Sequence, residues 1–146
     1  MITVLGLLIG VGLAQVKGPT VIARLSLKNQ TVPIPTTTIF IPKADGLYRL
    51  SVYMTVTTAD LTSSSFWSAN VNWTDEAGAE QKTMLLYGIS YSSPPNAAFI
   101  TNDGSLSGPV ITMQAKADTP VTFCVTQNGS TDNSAYAVFI AAERLF

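Results

Sequence analysis

The chain has 146 residues and a formal net charge of −1, with only 12% charged residues, where a soluble domain usually has about a quarter. That length suits one domain with a real core, and the lack of any run of Lys or Arg excludes the basic stripe that nucleic-acid binding needs. With no His and a single Cys, Cys124, the chain lacks the commonest general base, metal ligand and pH switch, and it cannot close an internal disulfide.

Residues 1–16, MITVLGLLIGVGLAQV, carry no charge and are too few to span a bilayer as a helix. Gly12-Leu13-Ala14 looks like a small-residue cleavage site, but the positive charge that opens a secretory signal is missing. Read as a strand, Leu5, Leu7, Ile9, Val11 and Leu13 line one face. Gly6, Gly10 and Gly12 leave the other face partly bare, so the strand can lie flat against another backbone. We expect a retained apolar arm that buries this row in a neighbouring chain. A cleaved signal or membrane-associated segment is the alternative.

Lys17-Gly18-Pro19 reads as a joint, and Val21 to Leu27 alternate beyond it. The expected division is an anchoring arm over 1–30 and a folded domain over 31–146. TVPIPTTTIFIP (31–42) is β-branched and cut by Pro33, Pro35 and Pro42, which confines it to a sheet edge or kinked extended chain. Asp45-Gly46 is a turn signal. After it Tyr48, Leu50, Val52, Met54 and Val56 point one way, and Arg49, Ser51, Tyr53 and Thr55 the other, as in a half-buried strand.

FWSANVNW (66–73) places Trp67, Ala69, Val71 and Trp73 on one face. Asp75-Glu76-Ala77-Gly78 turns the chain and QKTMLLYG returns. Residues 88–109, with Pro94-Pro95, Asn102-Asp103-Gly104 and Gly108-Pro109, form a long connection. PVITMQAK, the turn ADTP and VTFCVTQ are expected to make a hairpin, with Val121, Phe123 and Val125 on one face and Thr122, Cys124 and Thr126 on the other. Asn128-Gly129 opens a polar loop, and AYAVFIAAERLF is the final strand. No segment sustains a helical period. The expected fold is all-β, an antiparallel sandwich of short strands.

Phe40-Ile41-Pro42 followed by Gly46-x-Tyr48-x-Leu50 resembles the aromatic–Pro–Gly–x–Tyr–x–Phe stretch of the complement-type globular heads, which belong with the tumour-necrosis-factor-like jelly rolls; Leu50 stands where that family has Phe. AYAVFIAAERL is similar to the last core strand of such domains. GLYRLSVYM and NVNWTDEAGA resemble stretches of small jelly-roll proteins on tailed-phage virions. The resemblance covers roughly 30–146 and none of its motifs is catalytic. It implies a jelly-roll sandwich that forms a homotrimer around a threefold axis. On phages it implies a head cement or decoration knob, or part of a head or tail fibre.

Candidate chemistry is sparse. Asp75, Glu76 and Glu80 cluster near a turn and could offer oxygens to Ca²⁺, but their spacing matches no calcium loop and solvated turn charges explain them. Asn102-Asp103-Gly104 and Asn128-Gly129-Ser130 are turn residues first and sugar-binding loops second. Asn29-Gln30-Thr31, Asn72-Trp73-Thr74 and Asn128-Gly129-Ser130 fit the glycosylation pattern, which has no consequence in a bacterial host. Ser63-Ser64-Ser65 has no base to activate it, Trp67 and Trp73 suit a core or a subunit contact, and Cys124 suits a sheet face. No enzyme activity, cofactor or metal is expected.

The expectation is a trimeric capsid cement or decoration protein on a phage virion surface. Its partners would be its own copies and the major capsid protein, with no nucleic acid and no membrane. Leu5, Leu7, Ile9, Val11 and Leu13 would anchor the arm, and Arg49 and Tyr53 would contact neighbouring subunits. Three alternatives share the fold: a receptor- or glycan-binding fibre knob using loops 88–109 and 127–135, a secreted cell-surface protein, and a filament subunit whose arm completes the next subunit's sheet.

Overall fold

Period-two alternation of apolar and polar residues produces strands throughout the computed structural model, which describes residues 18–58, 65–86, 105–107, 110–129 and 134–146. The strands are β1 (Thr20–Gln30), β2 (Ile34–Phe40), β3 (Gly46–Thr58), β4 (Ser65–Thr74), β5 (Glu80–Leu86), β6 (Ser105–Ser107), β7 (Ile111–Ala115), β8 (Val121–Gly129) and β9 (Ala135–Arg144). They form a five-stranded sheet in the order β1-β9-β3, with β6 and β7 both paired to β3, and a four-stranded sheet in the order β2-β8-β4-β5. Every pairing is antiparallel. The fold is therefore the expected all-β sandwich.

The pairings nest. β4 pairs with β5, β3 with β7, β2 with β8 and β1 with β9. One long antiparallel ribbon is thus rolled across two facing sheets, in the manner of a jelly roll. Pro33 and Pro35 flank the start of β2, an edge strand with a register shift between Ile34 and Thr37. A residue without an N–H is tolerated at such an edge.

Three expectations need correction. Residues 20–30, assigned above to the arm, pair with β9 from Thr20↔Arg144 to Gln30↔Tyr136 and so belong to the sandwich. The connection over 88–109 contains a short strand, β6, opposite Tyr53–Thr55. The segments expected to form a hairpin, β7 and β8, lie in opposite sheets: β7 pairs with β3, and β8 with β2 and β4. The turn between them crosses the sandwich instead of reversing within one sheet. It is held by Asp118 N–H donating to Pro42 O at 2.9 Å and Ala117 N–H donating to Asp45 Oδ1 at 2.7 Å.

The core lies between the sheets. Tyr48, Leu50, Val52 and Met54 of β3 and Tyr136, Val138 and Ile140 of β9 meet Trp67 and Val71 of β4 and Val121, Phe123 and Val125 of β8. Each fully buried large side chain contributes about 1.5–3 kcal/mol. The polar tips of three core aromatic side chains have partners, as the low dielectric requires. Tyr136 Oη donates to Val32 O at 2.8 Å, Tyr48 Oη to Ala44 O at 2.7 Å, and Trp67 Nε1 to Ser134 Oγ at 3.1 Å. Burial pushes the Tyr136 phenol well above the ordinary tyrosine range. Trp73 packs half-buried against the same core.

Gly46 begins β3 where the C-terminal segment passes close by. A Cβ there would sit 2.8 Å from the Phe146 carbonyl oxygen. That approach lets Leu145 N–H donate to Leu47 O at 2.9 Å.

Candidate interaction surface

In an antiparallel sandwich the inward residues of each strand make the core and the outward residues meet water, so the outward rows are normally polar. The outward row of the four-stranded sheet is polar, although Ser68 and Asn70 are themselves buried. Its outward row carries Ser68, Asn70 and Asn72 of β4 opposite Thr126, Cys124 and Thr122 of β8. Ser68 and Thr126 share a hydrogen bond at 2.8 Å.

The five-stranded sheet departs from this pattern. On β9 the outward residues are Ala137, Phe139, Ala141 and Glu143, which face Thr55, Tyr53, Ser51 and Arg49 of β3. On the other side of β9, Ser26 is opposite Phe139 and Arg24 opposite Ala141. The Tyr53 and Phe139 rings lie 5.9 Å apart at their centroids, tilted by 42°. Phe139 is half-buried and Tyr53 is 40% exposed. Together with Ser51, Ala141 and Val110 these rings line a shallow hollow of about 510 Å³. Its walls are mostly apolar, and Arg24 is the charged residue of the lining.

One end of this face is polar. Arg49 Nε donates to Glu143 Oε2 at 2.7 Å, and the two side chains form an ion pair across the β3–β9 register. Both remain partly exposed, so the pair contributes about 0–1 kcal/mol to stability. Its position at the margin of an apolar patch matches the polar rim that surrounds the dry centre of protein interfaces.

The two sequence-predicted contact residues, Arg49 and Tyr53, lie on this one outward face. Leu5, Leu7, Ile9, Val11 and Leu13 lie outside the described residues, as do most of 88–109 and 130–133. Sequence reasoning missed Phe139 and Ala141. The signal was present in AYAVFIAAERLF, which is apolar at consecutive positions rather than alternate ones, the pattern of a strand covered on both faces.

Asp75 closes the β4–β5 turn. Asp75 Oδ1 accepts from Ala79 N–H at 2.9 Å and Oδ2 from Gln81 Nε2 at 2.8 Å. The Ala79 N–H and then Gln81 hold the Asp75 carboxyl below its ordinary value. Glu76 Oε2 accepts from Gln114 Nε2 at 3.2 Å. Among the described residues no group of three His, Cys, Asp or Glu is placed to hold a metal ion.

No protein-family model matches this chain, and no curated protein sequence matches it. Solved structures do. A chain in the structure of infectious bursal disease virus, Gx strain, superposes with a TM-score of 0.55 and 11% identity, covering 99% of this chain and 37% of that one. The VP2 subviral particle of the same virus gives a TM-score of 0.48 at 12% identity, over 94% of this chain and 38% of that one. This chain spans well under half the length of either viral chain. At such identities the likeness is one of fold, the two-sheet β-sandwich described above.

Proposed function

We propose that this protein is a virion structural protein, a trimeric cement or decoration protein on the head of a tailed phage. The observation that carries the reading is the apolar outward face of β9 and β3, built on Phe139, Tyr53 and Ala141. An exposed patch of this kind is a site for another protein surface. The fold likeness to a chain of a virus particle supports the virion setting, and the sequence resemblance to trimeric jelly rolls supports a second copy as the occupant.

In this reading three copies bring their five-stranded sheets around a threefold axis. Each buried Å² of apolar surface contributes about 25 cal/mol, less the cost of association and side-chain ordering. Arg49 and Glu143 sit at the rim, where they set register more than affinity. The chain enters this sheet at β1, its outer strand, directly after Gly18. The arm therefore leaves from the edge of the trimerising sheet. Leu5, Leu7, Ile9, Val11 and Leu13 would bury themselves in the major capsid protein, and three arms per knob would add avidity to a weak single contact.

The test is the mass of the full-length protein by light scattering at micromolar concentration. Three chains per particle support the reading. A stable monomer overturns it.

A further inference from the structure

The outer face of the four-stranded sheet, opposite the proposed subunit contact, carries a second hollow that the virion reading does not use. Thr36 of β2, Thr122 of β8, Asn72 and Thr74 of β4, and Glu80 and Lys82 of β5 line a trough of about 560 Å³. The register aligns the strands that carry them: Thr38, two residues from Thr36, is opposite Thr122, Thr122 opposite Asn72, and Asn72 opposite Lys82. At about 4.8 Å between neighbouring strands, this row of polar side chains extends about 14 Å.

Among the described residues none of these six side chains has a hydrogen bond or ion pair of its own. Two further polar groups of the lining are engaged, Gln81 with Asp75 and Thr119 with the Lys116 carbonyl. A set of free donors and acceptors is thus held on strands, whose backbones are already fixed by pairing. Such preorganisation lowers the ordering cost of a polar ligand.

We propose that this trough is a binding site for a short neutral saccharide. Its chemistry selects that class. Hydroxyls and an amide donate and accept in turn, as the hydroxyls of a sugar ring do. Glu80 and Lys82 place one charge of each sign in the trough, which favours no net charge on the ligand. A phosphate or nucleic acid would meet the Glu80 carboxylate. An extended peptide would pair with a sheet edge, whereas this trough crosses the face of all four strands. The site is independent of the oligomer reading, because it lies on the other sheet.

The experiment is saturation-transfer NMR and calorimetric titration of the full-length protein. The probes are neutral trisaccharides of glucose, galactose and N-acetylglucosamine. Binding of at least one is expected. The double variant Asn72→Ala with Thr122→Val should weaken it by about tenfold or more. Lys82→Ala, at an exposed edge-strand position, should weaken it without touching the fold. Failure of all three sugars to bind, or undiminished binding by Lys82→Ala and the double variant, overturns the proposal.

Discussion

Tyr53 and Phe139 stand directly opposite each other on β3 and β9, with their rings 5.9 Å apart on the side of the sheet away from the core. An aromatic pair of this kind adds about 0.5–1.5 kcal/mol beyond the area it buries. Left in water, it would still present apolar surface at the middle of a sheet face. We therefore expect Phe139→Glu to place charges against one another in the assembled protein and to release monomers. Light scattering should read three chains for the parent and one for the variant, while both melt cooperatively. A trimeric variant would show that this face is not the contact.

The inward and outward rows differ by one residue, and a one-residue shift reverses every side chain. Val52 is 4% exposed and pairs with Ile140, whereas Ser51 pairs with Ala141 on the outer face. Val52→Asp should abolish cooperative unfolding, because it strands an unpaired charge in the core. Ser51→Asp should retain it. Circular dichroism melts of the two variants check the assignment, and a normal melt for Val52→Asp would contradict it.

Gly46 and Gly18 offer a matched pair. A Cβ at Gly46 would lie 2.8 Å from the Phe146 carbonyl oxygen, while one at Gly18 would meet nothing within 4 Å. Gly46→Ala must push the C-terminal segment off β3 and should lower stability by about 1–3 kcal/mol in urea titrations. Gly18→Ala should leave the midpoint unchanged. Equal effects would exclude the close approach as the reason for Gly46.

The Asp75 carboxyl is held below its ordinary value of 3.8, chiefly by the Ala79 N–H and then by Gln81. A carboxylate with a depressed folded value adds stability above its unfolded value, and that stability is lost as pH falls through the folded value. The turn should thus stay closed at neutral pH and loosen only on the acid side of 3.8. NMR titration of the carboxyl and of the Ala79 amide should give a shared midpoint below 3.8. Asp75→Asn should remove that acid transition, and a midpoint at or above the ordinary value would contradict the hydrogen-bonded turn.

The arm carries the attachment hypothesis. Leu7→Asp with Val11→Asp puts two charges in a row whose burial would be worth about 1.5–3 kcal/mol per side chain. The double variant should remain a folded trimer that no longer binds phage particles. Particles lacking the protein should lose genome sooner on heating, and the parent but not the variant should restore them. Decoration by the variant at the parent level would place the anchor elsewhere.

Much of the architecture is legible in the sequence. Alternation from Tyr48 to Val56 assigns the core face of β3, the prolines at 33 and 35 restrict β2 to an edge or kinked extended chain, and Asp45-Gly46 marks the turn. These are local properties, because strand period, proline geometry and turn preference depend on a few neighbouring residues. Pairing is not local. Nothing in VIARLSLK announces that it lies beside AYAVFIAA, more than a hundred positions away, or that β7 and β8 belong to opposite sheets. Those choices are made by the packing of two apolar faces against each other, and many strand orders satisfy the same alternation. The two proposed sites depend on that outcome. Tyr53 meets Phe139, and Asn72 meets Thr122, only because β9 docks between β1 and β3 and β8 between β2 and β4.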